Sequence, residues 1–378
     1  MALAFLLAFW LPLGCLILIL LDLGIVIEVA NHLLALPVLG VAAVLLFILL
    51  LGRRVVLLFR RPAGEEPRRS TSVRAHTITT RDHHTIFVDT LGPREEFSLL
   101  FCQGWEVTSD VWHYLKKSRR LERLGRLITW DLPGVGKSGK LTAPVSLDSL
   151  AHCLRDVIEQ EGGRRIVLTG LGVGGFIALQ FCRLFPDLTQ RRLIGLVLID
   201  TPMTSLGRPP ALLRFAAAVS PLIVALQRLV YWSGLGHLVT ALLSFGGRES
   251  RGQLDLVVRS WLSLSPRTVL AYITAFSDFN PTEALQTAPL SLLVLHSKRR
   301  TFPTLPPRDH DQSASVVAEL ATSSLWGPLE RSVECEQQLR DWLEILPGGP
   351  GGQHTMRRRQ REQARSVTPQ DRTAREQT

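Results

Sequence analysis

The sequence predicts an α/β protein that is built on a mostly parallel sheet and preceded by two membrane-spanning helices. From Met1 to Leu51 the only formal charges are Asp22 and Glu28. From about residue 70 to residue 346, apolar strand-like segments alternate with helix-like segments. Such alternation is typical of a parallel sheet with helices on both faces. We therefore divide the chain into residues 1–69, 70–346 and 347–378.

The first 51 residues contain two apolar runs, Ala2–Leu21 and Leu33–Leu51. Each has about the ~20 residues that are needed to cross the core of a bilayer. We predict a transmembrane helical hairpin with Asp22, Glu28 and His32 in or near its turn; a single span with an interfacial segment is the alternative. A cleaved signal peptide fits poorly, because no basic region precedes the first run.

The basic residues that follow the second run predict the orientation of the hairpin. No lysine or arginine lies between the two runs. The positive-inside rule then places both termini, and the domain that follows, on the cytoplasmic side of the membrane. We expect these arginines to contact anionic headgroups. They are Arg53, Arg54, Arg60, Arg61, Arg68 and Arg69.

The net charge of +10 does not indicate a nucleic-acid-binding protein. Much of it lies in these arginines and in a tail that contains Arg357–Arg361, separated from the domain by Gly348–Gly352. The tail lacks an apolar period, so we predict a disordered basic segment that is attracted to a membrane surface. The five cysteines are widely spaced and form no CxxC pattern, so we expect neither a metal site nor a cofactor.

Within residues 70–346, apolar runs bounded by turn residues predict the strands. They are Val73–Thr79 and His84–Thr90 as a hairpin, Phe97–Cys102, Arg126–Trp130, Ile166–Thr169, Leu193–Ile199 and Leu290–His296.

Helical spacing of apolar residues, and residues that begin or end helices, predict the helices between these strands. They are a helix that starts at Ser109 or Asp110, Leu147–Glu161, Phe176–Phe185 and a final helix that ends with Asp341–Ile345.

The segment between Thr201 and Pro289 is rich in apolar helix formers, especially over Ala211–Leu229 and Leu238–Phe245. We interpret residues 203–287 as a helical lid above the carboxyl ends of the strands, the edge where open α/β sheets bind ligands. Its apolar faces would pack on the core, line an acyl pocket or touch the bilayer.

Pro133–Ser138 reads P-G-V-G-K-S and resembles a phosphate-binding loop only in part. That loop requires G-x-x-x-x-G-K-[ST], and the position of its first glycine is Asp131. Because a carboxylate there would repel phosphate, we exclude a nucleoside-triphosphate site.

Gly170–Gly175 also fits the G-x-G-x-x-G fingerprint of dinucleotide-binding turns, with Asp200 at the end of the next strand. Asp200 lies beyond the usual spacing of about 20 residues, and the motif follows some hundred residues of α/β structure instead of opening it. A dinucleotide-binding enzyme remains an alternative.

The order of these segments from Val73 to Leu346 resembles the α/β-hydrolase superfamily, in particular its esterase, lipase and epoxide-hydrolase-like branch. Asp131–Gly139 is similar to the D-x-x-G-x-G-x-S segment of that family, and Gly170–Gly174 occupies the place of its nucleophile elbow, G-x-S-x-G. The resemblance implies an α/β-hydrolase fold with a lid and a Ser-His-acid triad.

Carried over residue by residue, the resemblance puts Gly172 at the nucleophile position. The amides of Gln103, Gly104 and Val173 would form the oxyanion hole, and Trp105 would lie beside the ligand.

The usual position of the acid is Arg300, although some relatives place the acid one strand earlier, at Asp200. No histidine occurs near Leu325, where the base is expected, and His310 lies upstream.

All three triad positions are therefore changed. We interpret the chain as a catalytically degenerate, membrane-anchored member of the family that binds an apolar or ester-like ligand or a protein partner. The alternative is an active ester or lipid hydrolase with non-standard residues, such as Cys102, or Asp200 with His296 or His310.

Overall fold

A computed structural model describes residues 35–62, 64–67, 74–93, 96–141, 143–202, 204–247, 249–286, 290–297, 315–321 and 326–350. The first predicted apolar run, Ala2–Leu21, and the basic tail beyond residue 350 lie outside the described residues, so the hairpin stays a prediction. Arg300, His310 and Leu325 lie outside them as well.

An eight-stranded sheet in the order β1-β2-β4-β3-β5-β6-β7-β8 forms the centre of the domain. The β1–β2 and β2–β4 pairs are antiparallel and all other pairs are parallel, so the predicted mostly parallel sheet is confirmed. The strands are β1 (His76–Thr79), β2 (Thr85–Leu91), β3 (Phe97–Cys102), β4 (Arg126–Trp130), β5 (Arg165–Leu171), β6 (Leu193–Ile199), β7 (Ser291–Ser297) and β8 (Val316–Leu320).

The helices of the described residues cover both faces of this sheet, where two clusters of buried apolar side chains form the core. A short 3₁₀ turn, Ser109–Trp112, replaces the start of the helix predicted at Ser109 or Asp110. The helices are α1 (Ala35–Leu58), α2 (His113–Lys116), α3 (Arg119–Glu122), α4 (Leu147–Glu161), α5 (Gly174–Leu184), α6 (Pro186–Arg192), α7 (Ala211–Ala218), α8 (Ser220–Trp232), α9 (Leu235–Ser244), α10 (Arg251–Leu262), α11 (Pro266–Phe276), α12 (Pro281–Gln286), α13 (Gly327–Glu330) and α14 (Ser332–Ile345).

Helices α7–α12 form the insertion between β6 and β7. Its members bury apolar side chains against the sheet layer: Leu213, Tyr272 and Phe276 join one core cluster, and Val257 of α10 joins the other. Helices α7 and α8 meet at an angle of 97°. The insertion is therefore part of the folded domain as well as a cover for one edge of the sheet.

Helix α1 extends the second apolar run beyond its predicted end at Leu51, through Arg53 and Arg54 to Leu58. By length and composition, residues 40–58 could cross a membrane. The helix packs against α8 and α9. Gly52 lies against Gly234, since a Cβ atom added to Gly234 would lie 2.8 Å from the carbonyl carbon of Gly52.

Two of the arginines that follow the apolar run pair with carboxylates of the domain, and the contact of this basic segment with headgroups stays a prediction. Arg53 Nη2 lies 3.0 Å from Asp255 Oδ1, and Arg60 Nη1 lies 2.7 Å from Glu249 Oε1. Both carboxylates are largely or fully buried, so they hold these guanidinium groups against the domain. Beyond α1, residues 60–62 and 64–66 form a strap along the insertion, and Glu66 Oε2 accepts a hydrogen bond of 2.8 Å from Gly252 N at the start of α10.

Candidate active site

The turn between β5 and α5 is built as a nucleophile elbow with glycine at its tip. Gly172 has a φ of +55°, which L side chains rarely adopt. Its amide donates a hydrogen bond of 2.8 Å to the carbonyl of Ile199, and its carbonyl accepts one of 3.1 Å from Gly175. The strand-to-helix turn of this motif holds residue 172 at the carboxyl edge of the sheet.

The flanking glycines leave no room for side chains. A Cβ atom on Gly170 would lie 2.5 Å from the Cα of Gly175, and one on Gly174 would lie 2.8 Å from the carbonyl carbon of Gln103. The amino end of α5 is thus pressed against the end of β3. These glycines serve close packing within the protein, which does not favour the dinucleotide alternative.

This geometry predicts that a methyl side chain is tolerated better at Gly172 than at Gly174. Gly174→Ala would force a Cβ into backbone atoms and should cost about 3 kcal/mol, at the upper end of overpacking effects. A Cβ atom on Gly172 would meet only Glu106 Oε1, at an ordinary contact distance of 3.4 Å, so Gly172→Ala should cost about 1–2 kcal/mol for its left-handed backbone. Denaturant unfolding of the two variants in detergent checks this order. Equal costs would contradict a closed elbow.

The side chain nearest to the vacant nucleophile position is Glu106, which the sequence reading did not single out. A Cβ on Gly172 would lie 3.4 Å from Glu106 Oε1, and no other described side chain comes within 4 Å of it. The carboxyl group also lies directly over Gly104, and its Oε2 is buried without a hydrogen-bond partner. Burial raises the pKa of Glu106 to about 7, although a hydrogen bond from its own amide opposes this.

The predicted oxyanion residues lie beside this carboxyl group, but the Gln103 side chain has a structural role. Its Nε2 donates to the carbonyl of Trp130 at 2.6 Å, and its Oε1 accepts from Trp112 Nε1 at 3.3 Å. These bonds fix the turn after β3 against β4. Gly104 and Val173 are both buried at the elbow.

Aromatic side chains form one wall above the elbow. Trp105 stacks on Tyr272 of α11 with ring centroids 6.3 Å apart, and Tyr272 stacks on Phe276 at 6.2 Å. Phe176 of α5 contacts Phe276 and Phe279. Tyr272, Phe276 and Phe176 are fully buried, so these rings pack α11 of the insertion against α5 as part of the core.

Asp200 lies next to the elbow, at the end of β6, and is strained. Its φ is +46°, and its Oδ1 accepts a hydrogen bond of 2.7 Å from Ser297 N. Oδ2 is buried without a partner, and burial raises the pKa of this carboxyl group. Unusual backbone geometry of this kind often occurs at functional sites.

His296 is buried in β7, within the predicted strand Leu290–His296, and the strand extends one residue further to Ser297. Ile199 pairs with Leu295, so the register places Asp200 beside His296. His296 Nδ1 is buried without a hydrogen-bond partner. The structure therefore brings together Asp200 and His296, one of the two acid–histidine pairs that the sequence suggested.

Cys102 is not a substitute nucleophile. It is fully buried at the end of β3, where its Sγ accepts a hydrogen bond of 3.4 Å from Trp130 Nε1. Burial raises its pKa to about 12. Since the thiolate is the reactive form, this thiol is inert at neutral pH.

The second glycine-rich loop closes around its own carboxylate. Asp131 Oδ2 accepts from Lys137 N at 2.8 Å, Asp131 Oδ1 accepts from Ser109 N at 2.7 Å, and Ser138 Oγ donates to the Asp131 carbonyl. The amides that would cradle a phosphate are thus used internally. Across the described part of the chain, no cluster of three His, Cys, Asp or Glu residues could hold a metal ion.

Comparison with known proteins agrees with this geometry. A family model described as "Alpha/beta hydrolase family" matches residues 99–337. An AB hydrolase superfamily protein of Bacillus subtilis is 29% identical over 107 residues, which is 28% of this chain and 38% of that protein. The chain thus covers well under two thirds of this curated relative.

Two solved structures share the fold. A thermophilic esterase from Thermogutta terrifontis has a TM-score of 0.55 at 21% identity, covering 72% of this chain and 98% of the esterase. An enol-lactonase from Burkholderia xenovorans has a TM-score of 0.53 at 14% identity, covering 71% and 99%. The elbow, the strand order and the family match lead to one conclusion: the chain belongs to the alpha/beta hydrolase family.

Proposed function

We propose that this protein is a membrane-anchored member of the family that has lost serine-type hydrolysis and binds an apolar or ester-like ligand at the elbow. The observation that carries the proposal is Gly172, which keeps the backbone geometry of a nucleophile but has no side chain. Trp105, which is partly exposed and stacks on the buried Tyr272, supports an apolar ligand over a polar one.

The anchoring part of the proposal rests on α1. Residues 40–52 are apolar, and side chains such as Val44, Phe47 and Leu50 are exposed on the helix. Exposure of this much apolar surface is unfavourable in water and favourable in a bilayer. With basic residues after the span, we place the domain on the cytoplasmic side.

A fluorophosphonate probe tests the loss of chemistry directly. We expect no labelling of the full chain in detergent, and no labelling of Gly172→Ser, because a serine without a paired histidine and acid is a poor nucleophile. Hydrolysis of p-nitrophenyl butyrate by either protein should be about 10⁶-fold slower than by a triad enzyme.

A serine esterase of the same family, treated in parallel, is the positive control. Strong labelling of the wild-type chain that one Ser→Ala substitution abolishes would contradict the proposal. Strong labelling of Gly172→Ser alone would show that a working base and acid remain, so that only the nucleophile was lost.

Glu106 favours a second candidate function, hydrolysis by a carboxylate base. A carboxyl group with a pKa of about 7 is suited to accept a proton from water near neutral pH. Its carboxyl group lies against residues 104 and 172, beside the expected oxyanion hole. An ester-hydrolysis rate that rises through pH 7 and is lost in Glu106→Gln would establish this function in place of the first.

A further inference from the structure

We infer that the insertion rests on an anionic bilayer surface through one apolar face of α7–α9, beside α1. This inference deepens the proposed function, since it takes α1 as the neighbouring span. The insertion face is defined by its exposed apolar side chains. They are Phe215, Leu222, Leu229, Trp232, Leu238, Leu242 and Leu243.

The insertion face exposes more apolar side chains than is usual for a protein surface in water. Phe215 is 60% exposed, and Leu222 and Leu242 are each 65% exposed. The opposite sides of the same helices are also apolar, with Leu213 and Ile223 buried in the protein. Surface helices of soluble domains carry polar residues on the outer side, so helices that are apolar on both sides indicate a second apolar environment.

The charges of this segment have a single sign. Between Thr201 and Arg248 the sequence contains four arginines and no aspartate or glutamate. Arg214 and Arg228 are exposed among the apolar side chains of the face. Apolar side chains mixed only with cations are typical of helices that lie in the interface of an anionic membrane. This pattern favours a lipid surface over an uncharged apolar groove of a protein.

Helix α1 places the insertion face at the height of the headgroups. Residues 35–52 span about 27 Å at 1.5 Å per residue, close to the ~30 Å of a hydrocarbon core. Arg53 and Arg54 then mark the interface. Because Gly52 contacts Gly234 between α8 and α9, those helices lie at the same height. Trp232, half-exposed next to this contact, is a residue type enriched in that zone.

The bend between α7 and α8 indicates an in-plane position. Together the two helices are apolar enough to resemble one membrane span, but they meet at 97°. The pair therefore cannot cross the bilayer as one straight helix, whereas it can lie along its surface.

Spin labels on the full chain test the inference. Leu222→Cys and Leu242→Cys are made on a Cys15→Ser background and labelled in nanodiscs of phosphatidylcholine with phosphatidylserine. Val333→Cys on α14 is the matched control, because Val333 is also apolar and is 75% exposed.

We expect several-fold higher accessibility to oxygen, relative to a water-soluble nickel complex, at 222 and 242 than at 333. Omitting phosphatidylserine, or adding Arg214→Gln and Arg228→Gln, should reduce this difference.

Equal water accessibility at all three sites would overturn the inference. Labels at 222 and 242 that are protected from the nickel complex but gain no accessibility to oxygen would also overturn the inference. That result would indicate that a protein partner or a second copy of the chain covers the face. Alkaline carbonate extraction of the same membranes tests the anchor separately. Release of the chain from the membranes by carbonate would refute the α1 span, whatever the spin labels report. If the chain is retained but the labels at 222 and 242 are exposed to water, only the docking of the insertion face is refuted.

Discussion

Replacing Asp255 with asparagine is expected to destabilise the folded chain by about 3 kcal/mol, a typical cost of breaking a buried ion pair by removal of one partner. Asp255 Oδ1 lies 3.0 Å from Arg53 Nη2, 2.9 Å from His237 Nε2 and 3.0 Å from the hydroxyl of Tyr231, and Oδ2 pairs with Arg259. The asparagine keeps the shape of the side chain but cannot balance the positive charges of Arg53 and Arg259.

The pKa of Asp255 supports this expectation. Burial opposes its ionisation, but the hydrogen bond from His237 and the charges of Arg259 and Arg53 outweigh burial and hold the pKa well below its usual value. Because the pKa of Asp255 is lower in the folded state than in the unfolded state, its ionised form stabilises the fold at pH values above its usual pKa. This contribution is lost as the pH falls through the folded-state pKa. Asp255→Asn should therefore show a weaker acid dependence than the wild type.

Denaturant unfolding in detergent, followed by tryptophan fluorescence, measures the loss. Glu159→Gln is the matched control, because Glu159 pairs with the mostly exposed Arg81 and such pairs contribute about 0–1 kcal/mol. A loss in Asp255→Asn as small as in the control would mean that α1 is not held to the insertion by this carboxylate.

Glu106→Gln should make the protein more stable at pH 8, the opposite of the usual effect of a substitution near an active site. The pKa of Glu106 is raised from 4.5 to about 7, so the folded state holds a proton that the unfolded state releases. The wild type therefore loses stability as the pH rises from 4.5 to 7 and stays at the lower level above it.

The full pKa shift of Glu106 corresponds to about 3 kcal/mol in the free energy of unfolding. Partial solvent access to the side chain reduces this to about 1–2 kcal/mol. Glutamine cannot ionise, so its stability should be flat across this window. Unfolding at pH 5 and pH 8 measures both effects, again with Glu159→Gln as control. A variant with the same pH dependence as the wild type would show that the carboxylate is ionised and solvated in the fold.

The sequence predicts the strands best where they are buried on both faces. Phe97–Cys102, Arg126–Trp130 and Leu193–Ile199 have the same bounds in the structure as in the prediction, because central parallel strands are continuous apolar runs. β8 was missed. It lies at the edge of the sheet, is partly exposed and contains Glu319, so it lacks such a run.

The candidate site was predictable only in part, since most of it depends on contacts between distant segments. The elbow glycines carry a motif, and their turn was found. Glu106 is an ordinary residue of a turn, and only the folded chain shows that it reaches residue 172. In the same way, Arg53 and Asp255 are separated by 202 positions, so no local pattern indicates that they pair.

The contact of α1 and the strap with the insertion has a practical consequence for protein production. A shortened gene that begins at Arg74, chosen to obtain a water-soluble fragment, would remove Arg53 and Arg60 along with the apolar helix. It would uncover the backbone at Gly234 and leave Glu249, whose side chain is fully buried, without the arginine that neutralises it. Helix α1 and the strap therefore stabilise the domain, and a protein for purification should retain both and be kept in detergent or lipid.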